Sequence, residues 1–142
     1  NPQSLVTFSW DKALALNGNS APYLQYACAR IRSVEDKYRE QFPGRDPAAF
    51  PLALGDAAER RLAAHLLRFA EVVPQAAQAA KPSLLADYLY TLAGHYNAWY
   101  QTVPFLKAPE GVREGRVRLC GLVARVLRQG LDLLGIETPD RI

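Results

Sequence analysis

Cysteine and histidine are scarce in this 142-residue chain, with two of each, and methionine is missing altogether. Cys28 and Cys120 stand far apart and neither belongs to a CxxC pair, which disfavours a disulfide framework and fits reduced, buried thiols. His65 and His95 fall in different predicted helices, with no HExxH, GxSxG or Cys/His pairing around them. Each therefore reads as a helix-surface or core-edge histidine, and a zinc site would have to recruit carboxylates from elsewhere in the fold. Gly18, Gly44 and Gly55 stand singly in turns, so there is no glycine-rich cradle for a nucleotide phosphate. No apolar run reaches the ~18 residues of a membrane span, and no charged, then apolar, then small-residue leader opens the chain. A soluble, cytoplasmic protein is expected, with no membrane partner. The missing methionine and the start at Asn1 lead to the expectation that the chain is a piece of a longer polypeptide.

What is present is enough apolar residue, 49% of the chain, to bury a core in one domain. Seventeen Lys and Arg against fourteen Asp and Glu leave a formal charge of +3, which leans towards a polyanionic partner without approaching histone-like density. Residues 1 to 9 read as a linker, and the alanine-rich Trp10 to Leu16 suits about two helical turns. Asn17-Gly18-Asn19-Ser20 breaks that helix. Ser20 as N-cap and Pro22 in the first turn predict a helix from Ala21 to Gln41, buried along Leu24, Ala27, Cys28, Ile31, Val34 and Tyr38.

Phe42 to Asp56, rich in proline and glycine, reads as an irregular connection or a pair of short turns. Asp56 is placed to cap a helix over Ala57 to Leu67, and Phe69 to Ala80 follows as another, which Pro74 is expected to kink or divide. A helix restarting at Lys81-Pro82-Ser83 carries one buried stripe, Leu85, Tyr88, Leu89, Leu92, Tyr96, Trp99 and Val103, and ends near Pro104. The last helix runs from Val112 to Leu134, with Leu119, Leu122, Val123, Val126, Leu127 and Leu134 on one side and Arg118, Arg125 and Arg128 on the other; Gly135 closes it. No strand alternation or internal repeat is visible. The expected fold is an all-α helical bundle of four long helices plus one or two short ones.

One stretch does not fit an ordinary surface helix. In "NGNSAPYLQYACARIR", Tyr23, Tyr26 and Arg30 fall in a stripe about 60° wide, beside the buried series of the same helix instead of within it. Phenol rings can stack on unpaired bases, a neighbouring guanidinium can hold phosphate or a base edge, and a helix start at Ser20 to Tyr23 offers N–H groups to an anion. The plain alternative is that both tyrosines cover the core margin while Arg30 forms a surface ion pair. A second stretch, "HYNAWYQTVPF", shifts the balance. By the same helical count Tyr100 and Asn97 sit at and beyond the edge of the buried stripe, where they can face a ligand, and Tyr96 and Trp99 sit within it.

These residues carry a resemblance. "NSAPYLQYACARIRS" (19 to 33), "LADYLYTLAGHYNAWY" (85 to 100) and "RVLRQGLDLLGIETPDRI" (125 to 142) stand in the order and spacing of the C-terminal anticodon-binding domain of arginyl-tRNA synthetases, the all-helical DALR domain. The resemblance implies a helix bundle that binds the anticodon loop of tRNA(Arg), and partners limited to that RNA and the enzyme's own catalytic domain, without DNA. It also implies that the intact enzyme joins arginine to tRNA with ATP and magnesium through an upstream Rossmann-type domain, whose HIGH-like and KMSKS-like motifs are absent here. The domain itself is implied to be non-catalytic and to need no cofactor.

Carried over by position, Tyr23 and Tyr26 match the family's Y-x-x-Y pair that meets loop bases. The turn from Leu16 through Asn19 to Ser20 matches the loop approaching the tRNA, and Tyr100 matches an aromatic bordering the same nucleotides. The family's extreme C-terminus reaches the anticodon loop and commonly ends Arg-Met; Arg141-Ile142 stands there in this chain. Arg30 is assigned to RNA on helical geometry. Arg32, roughly 160° away, is assigned to structure or to the catalytic-domain interface. The rivals are the related helical domain of cysteinyl-tRNA synthetases, a stand-alone tRNA-binding paralogue, a helical protein-interaction module using its aromatic edge, and a free-standing enzyme. A salt-insensitive interaction indifferent to Tyr23→Ala and Tyr26→Ala would mark the interaction module.

Overall fold

Serine at position 20 starts the first long helix as its chemistry predicts: the backbone there is extended, and the hydroxyl accepts the N–H of Tyr23 at 3.3 Å. The computed structural model describes residues 7–15, 20–52 and 54–139. Asn19, Arg141, Ile142 and most of the turn before Ser20 lie outside the described residues. The elements in chain order are α1 (Trp10–Ala13), α2 (Ala21–Gln41), a single 3-10 turn (Pro47–Ala49), α3 (Ala57–Leu67), α4 (Phe69–Gln78), α5 (Pro82–Thr102) and α6 (Val112–Leu133). Among the described residues every regular element is helical. The chain is an all-α bundle.

Three helices, α2, α5 and α6, have 21, 21 and 22 residues. The fourth span is made by α3 and α4 in sequence, separated only by Arg68, whose backbone stays in the right-handed helical region. Helix α4 continues through Pro74, which neither divides it nor ends it. A proline inside a helix removes one backbone hydrogen bond and crowds the carbonyl four residues back, and α4 tolerates both while Val72 and Ala76 are buried against the bundle. Helix α1 stops at Ala13, short of the predicted Leu16, and none of its residues is buried. With no packing, so short a helix has little to hold it.

The ends are satisfied chemically. Asp56 caps α3 with its carboxylate on the Ala58 N–H at 2.7 Å, and Glu59 returns the bond to the Asp56 N–H at 3.0 Å. At the end of α6, Gly135 takes φ +73°, the Gly135 N–H reaches Asp132 and the Ile136 N–H reaches Leu131, the two bonds of a Schellman motif. Helix α4 ends the same way with Ala80 at φ +49° and the Lys81 N–H on the Ala76 carbonyl.

Helices α2, α5 and α6 enclose one core. Ile31, Leu89, Leu92, Tyr96, Trp99, Leu119 and Leu127 are each fully buried there. The predicted stripes of α2 and α5 are buried, apart from Val103, which is only partly so. On α6 the buried face is broader than predicted: Val117, Cys120, Ala124 and Leu131 join it, whereas Val126 and Leu134 are partly buried. Two carboxylates sit inside as well. Glu59 bonds Arg116 at 2.6 Å, and Glu114 accepts from Arg113 at 2.7 Å and from Tyr38 at 3.2 Å. Burial pushes the Glu114 carboxyl up, but the Arg113 guanidinium and the Gly111 N–H outweigh it and hold the carboxyl below the usual range. The Glu59–Arg116 pair ties α6 to α3, and the Tyr38–Glu114 bond ties it to α2.

Candidate nucleic-acid interface

Helices α2 and α5 lie side by side, and the predicted stripe of α2 meets the predicted edge of α5 in their seam. Asn97 bridges it. Its amide nitrogen donates to the Tyr23 hydroxyl at 2.8 Å, and its amide oxygen accepts from Arg30 Nη1 at 3.0 Å. Arg30 Nη2 donates in turn to the Tyr26 hydroxyl at 3.1 Å. The guanidinium carbon lies 4.8 Å from the centre of the Tyr26 ring and 5.6 Å from that of Tyr100. Tyr23, Tyr26, Arg30, Asn97 and Tyr100, separated by up to 77 positions in sequence, thus form one connected cluster.

The cluster rests on a firm base. Tyr100 packs on Tyr96 and on Phe105, with centroids 5.9 and 5.3 Å apart, and both supports are buried. Tyr96 and Trp99 are fully buried, as their place in the stripe requires. Tyr26 is 39% exposed and Tyr90 37%, so the aromatic ledge opens to solvent. Tyr90 is a member that the sequence reading missed: its ring lies 5.5 Å from Tyr23. The signal was there, because Tyr90 precedes Asn97 by two helical turns and lies about 20° from it around α5.

The other predicted contacts divide. Ser20 is buried, and its hydroxyl donates to the Ala15 carbonyl while capping Tyr23, so it acts here by fixing the helix start. Pro22 has no N–H and that of Tyr23 is taken, so neither the second nor the third helical position offers an N–H to an anion. Asn97 has both ends of its amide turned to protein groups. The C-terminal tail returns to the start of α2, where Gln25 donates to the Glu137 carbonyl at 2.7 Å.

Arg32 is half-buried on the other flank of α2, where its charge acts on Glu35. That flank borders a groove of about 840 Å³ between α2, the 3-10 turn and α6, lined by Arg39, Arg45, Arg118, Arg125 and Arg128 together with Glu35 and Asp46. Several of these cations are already engaged. Arg39 pairs with Asp36 at 2.6 Å, Arg45 pairs with Glu110, and Arg118 donates to the Phe50 carbonyl at 2.8 Å. Burial pushes the Glu35 carboxyl up, against the Arg39 and Arg128 charges that lower it.

Nothing in the described residues assembles a metal centre: no three His, Cys, Asp or Glu side chains gather closely enough to hold an ion. His65 is buried, stacks on Tyr88 with centroids 4.5 Å apart, and shares a hydrogen bond with the Tyr88 carbonyl at 3.2 Å. Burial lowers its basicity and pushes the Tyr88 phenol up to about 12. Cys28 and Cys120 are free and buried, with the Cys28 thiol pushed up to about 11 by desolvation. No described helix is long and apolar enough to cross a membrane.

Comparison with known proteins gives a consistent picture. The family model for the DALR anticodon binding domain matches residues 24–142, a span that takes in Tyr26, Arg30, Asn97 and Tyr100 and begins just after Tyr23. An arginine–tRNA ligase of Cellvibrio japonicus is 45% identical over 139 residues, covering 95% of this chain and 23% of that protein. One from Haemophilus ducreyi is 42% identical over 135 residues, covering 95% and 24%. Among solved structures, Thermus thermophilus arginyl-tRNA synthetase superposes with a TM-score of 0.85 at 38% identity, over 99% of this chain and 24% of that one. The chain spans about a quarter of the length of the curated relatives it matches.

Proposed function

The chain belongs to the DALR anticodon-binding domain family, and from that premise we propose that it is the tRNA-recognising part of an arginine–tRNA ligase, holding the anticodon stem and loop of tRNA(Arg). The observation that carries the reading is the cluster across the α2–α5 seam, in which Arg30 and Asn97 hold two tyrosines at an open aromatic ledge. Duplex RNA hides its base edges, whereas loop nucleotides splay out and can stack. Tyr23, Tyr26 and Tyr100 supply the rings, and Arg30 supplies charge beside them. Arginines elsewhere on the bundle neutralise phosphate, so affinity falls with salt. Ser20 shapes the approach through its cap. Asn19 and Ile142 enter the proposal on their family positions alone.

Arginine activation, with its ATP and magnesium, belongs in this proposal to the remainder of the ligase, because this chain carries no phosphate-cradling glycine motif and no catalytic constellation. The enzyme is placed in the cytoplasm, where its tRNA is. Anticodon binding here would position the distant acceptor end at the catalytic domain. The test is a titration of the chain with the anticodon stem-loop of tRNA(Arg) and with a stem-loop of the same stem and an unrelated loop. Preference for the arginine loop supports the reading; equal binding to both, or to neither, overturns it.

A further inference from the structure

We propose that Arg30 and Asn97 set the hydrogen-bond polarity of the tyrosine ledge, so that Tyr23 and Tyr26 face the ligand as donors and select loop bases that offer an acceptor, a carbonyl oxygen or an unprotonated ring nitrogen. The inference rests on the RNA reading above and adds to it what the site asks of a base.

One group in the cluster has its polarity fixed by its chemistry. A guanidinium only donates. Arg30 Nη1 lies 3.0 Å from one polar atom of the Asn97 amide, so that atom is the oxygen, and the NH2 group is left to face Tyr23. The Tyr23 hydroxyl, 2.8 Å away, must then accept, and its own proton points off that axis. Tyr26 reaches the same state directly, since Arg30 Nη2 donates to its hydroxyl at 3.1 Å. Among the described residues neither phenol donates a hydrogen bond to protein. A lone phenol donates or accepts as its partner requires. Here the cation, directly at Tyr26 and through Asn97 at Tyr23, takes up an acceptor site on each oxygen and leaves the proton to turn outward.

The cation cannot easily turn away. It is half-buried, bonded at both terminal nitrogens, and set against the rings of Tyr26 and Tyr100. Asn97 is accordingly a positioning residue: its amide is spent on orienting Tyr23, and the contact with the base is made by the phenol.

Asn97→Asp tests this without changing shape. The carboxylate keeps the bond to Arg30 and strengthens it, but has no proton for Tyr23, whose hydroxyl must then donate inward. Binding of the tRNA(Arg) anticodon stem-loop is measured for the chain, for Tyr23→Phe, Tyr26→Phe and Asn97→Asp, and for Asn97→Asp combined with each phenylalanine. Each single variant is expected to weaken binding about five- to tenfold, the loss of one hydrogen bond. In the Asn97→Asp background Tyr23→Phe should cost nothing further, while Tyr26→Phe should keep its full cost. A residue that merely supported the fold would not separate the two tyrosines. Undiminished binding by Tyr23→Phe, or equal costs of Tyr23→Phe in both backgrounds, overturns the proposal and leaves the RNA reading standing. If Asn97→Asp does not fold, undiminished binding by Tyr23→Phe or Tyr26→Phe still overturns the proposal. Absence of binding by the unaltered chain overturns both.

Discussion

Two glycine-to-alanine changes in long helices should move stability in opposite directions. Gly130 lies in α6 against Leu89 of α5, and a Cβ added there would sit 2.4 Å from Leu89 Cδ2, 2.7 Å from Cδ1 and 3.0 Å from Cγ. All three distances are below ordinary contact, and Leu89 is fully buried, so its side chain has no free space to turn into. Overpacking of this kind costs about 1–3 kcal/mol, against a helix-propensity gain of about 1 kcal/mol for alanine over glycine. The difference is a net destabilisation of about 0–2 kcal/mol, with about 1 kcal/mol, a fall of roughly 3 °C in Tm for a chain of this size, at mid-range. Gly94, in α5, has nothing within 4 Å of the equivalent position. Gly94→Ala should therefore keep the propensity gain and raise Tm by a similar amount. Thermal unfolding followed by far-UV circular dichroism reads both. A rise in Tm for Gly130→Ala matching that of Gly94→Ala would refute the close α5–α6 approach. The approach matters to the site, because Leu89 directly precedes Tyr90, which packs on Tyr23.

Ala80 holds φ +49° in the cap of α4, a conformation that costs a residue with a Cβ about 1 kcal/mol, so Ala80→Gly should raise the denaturant midpoint, and a lower midpoint would contradict the strain. Glu59 is 1% exposed and serves both Arg116 and the Asp56 N–H, so Glu59→Ala should cost about 3 kcal/mol or more in equilibrium unfolding; a loss below about 1 kcal/mol would show the pair to be dispensable. His65 has its basicity lowered by burial, so the unfolded chain binds its proton first, and stability is full above the ordinary value of 6.5 and falls as the pH drops below it. His65→Phe keeps a ring on Tyr88 and should flatten that fall; an unchanged slope would place the titration elsewhere.

The boundaries of α2 and α3 were legible because both starts carry local chemistry, Ser20 before Pro22 and Asp56 before Glu59, and local chemistry is what a sequence displays. Pro74 does not divide α4, because the proline penalty is intrinsic and the packing that offsets it is tertiary. The Pro47–Ala49 turn, capped by Asp46, falls in the stretch read as an irregular connection or a pair of short turns, with its place inside that stretch not marked. Glu59 and Glu114 lie at capping-box positions, but that spacing says nothing of the distant partners, Arg116 and Tyr38, that let them be buried. The site divides along the same line. Helical phase placed Tyr23, Tyr26 and Arg30 on one stripe and Asn97 and Tyr100 at the edge of another. It could not show that the two edges meet, since Asn97 reaches Tyr23 across 74 positions. Nor could it show Asn97 turned inward to Arg30 and Tyr23.

The central claim, that the ledge at the α2–α5 seam grips unpaired RNA bases, is tested most directly by the affinity of the chain for the tRNA(Arg) anticodon stem-loop with and without Tyr26→Ala. Tyr26 is more than a third exposed, so its ring can be removed with little harm to the core. Losing one base–aromatic stack should weaken binding by about 1–3 kcal/mol, roughly five- to 150-fold, in a protein of unchanged helicity and Tm. Equal affinity for the two proteins would contradict the account.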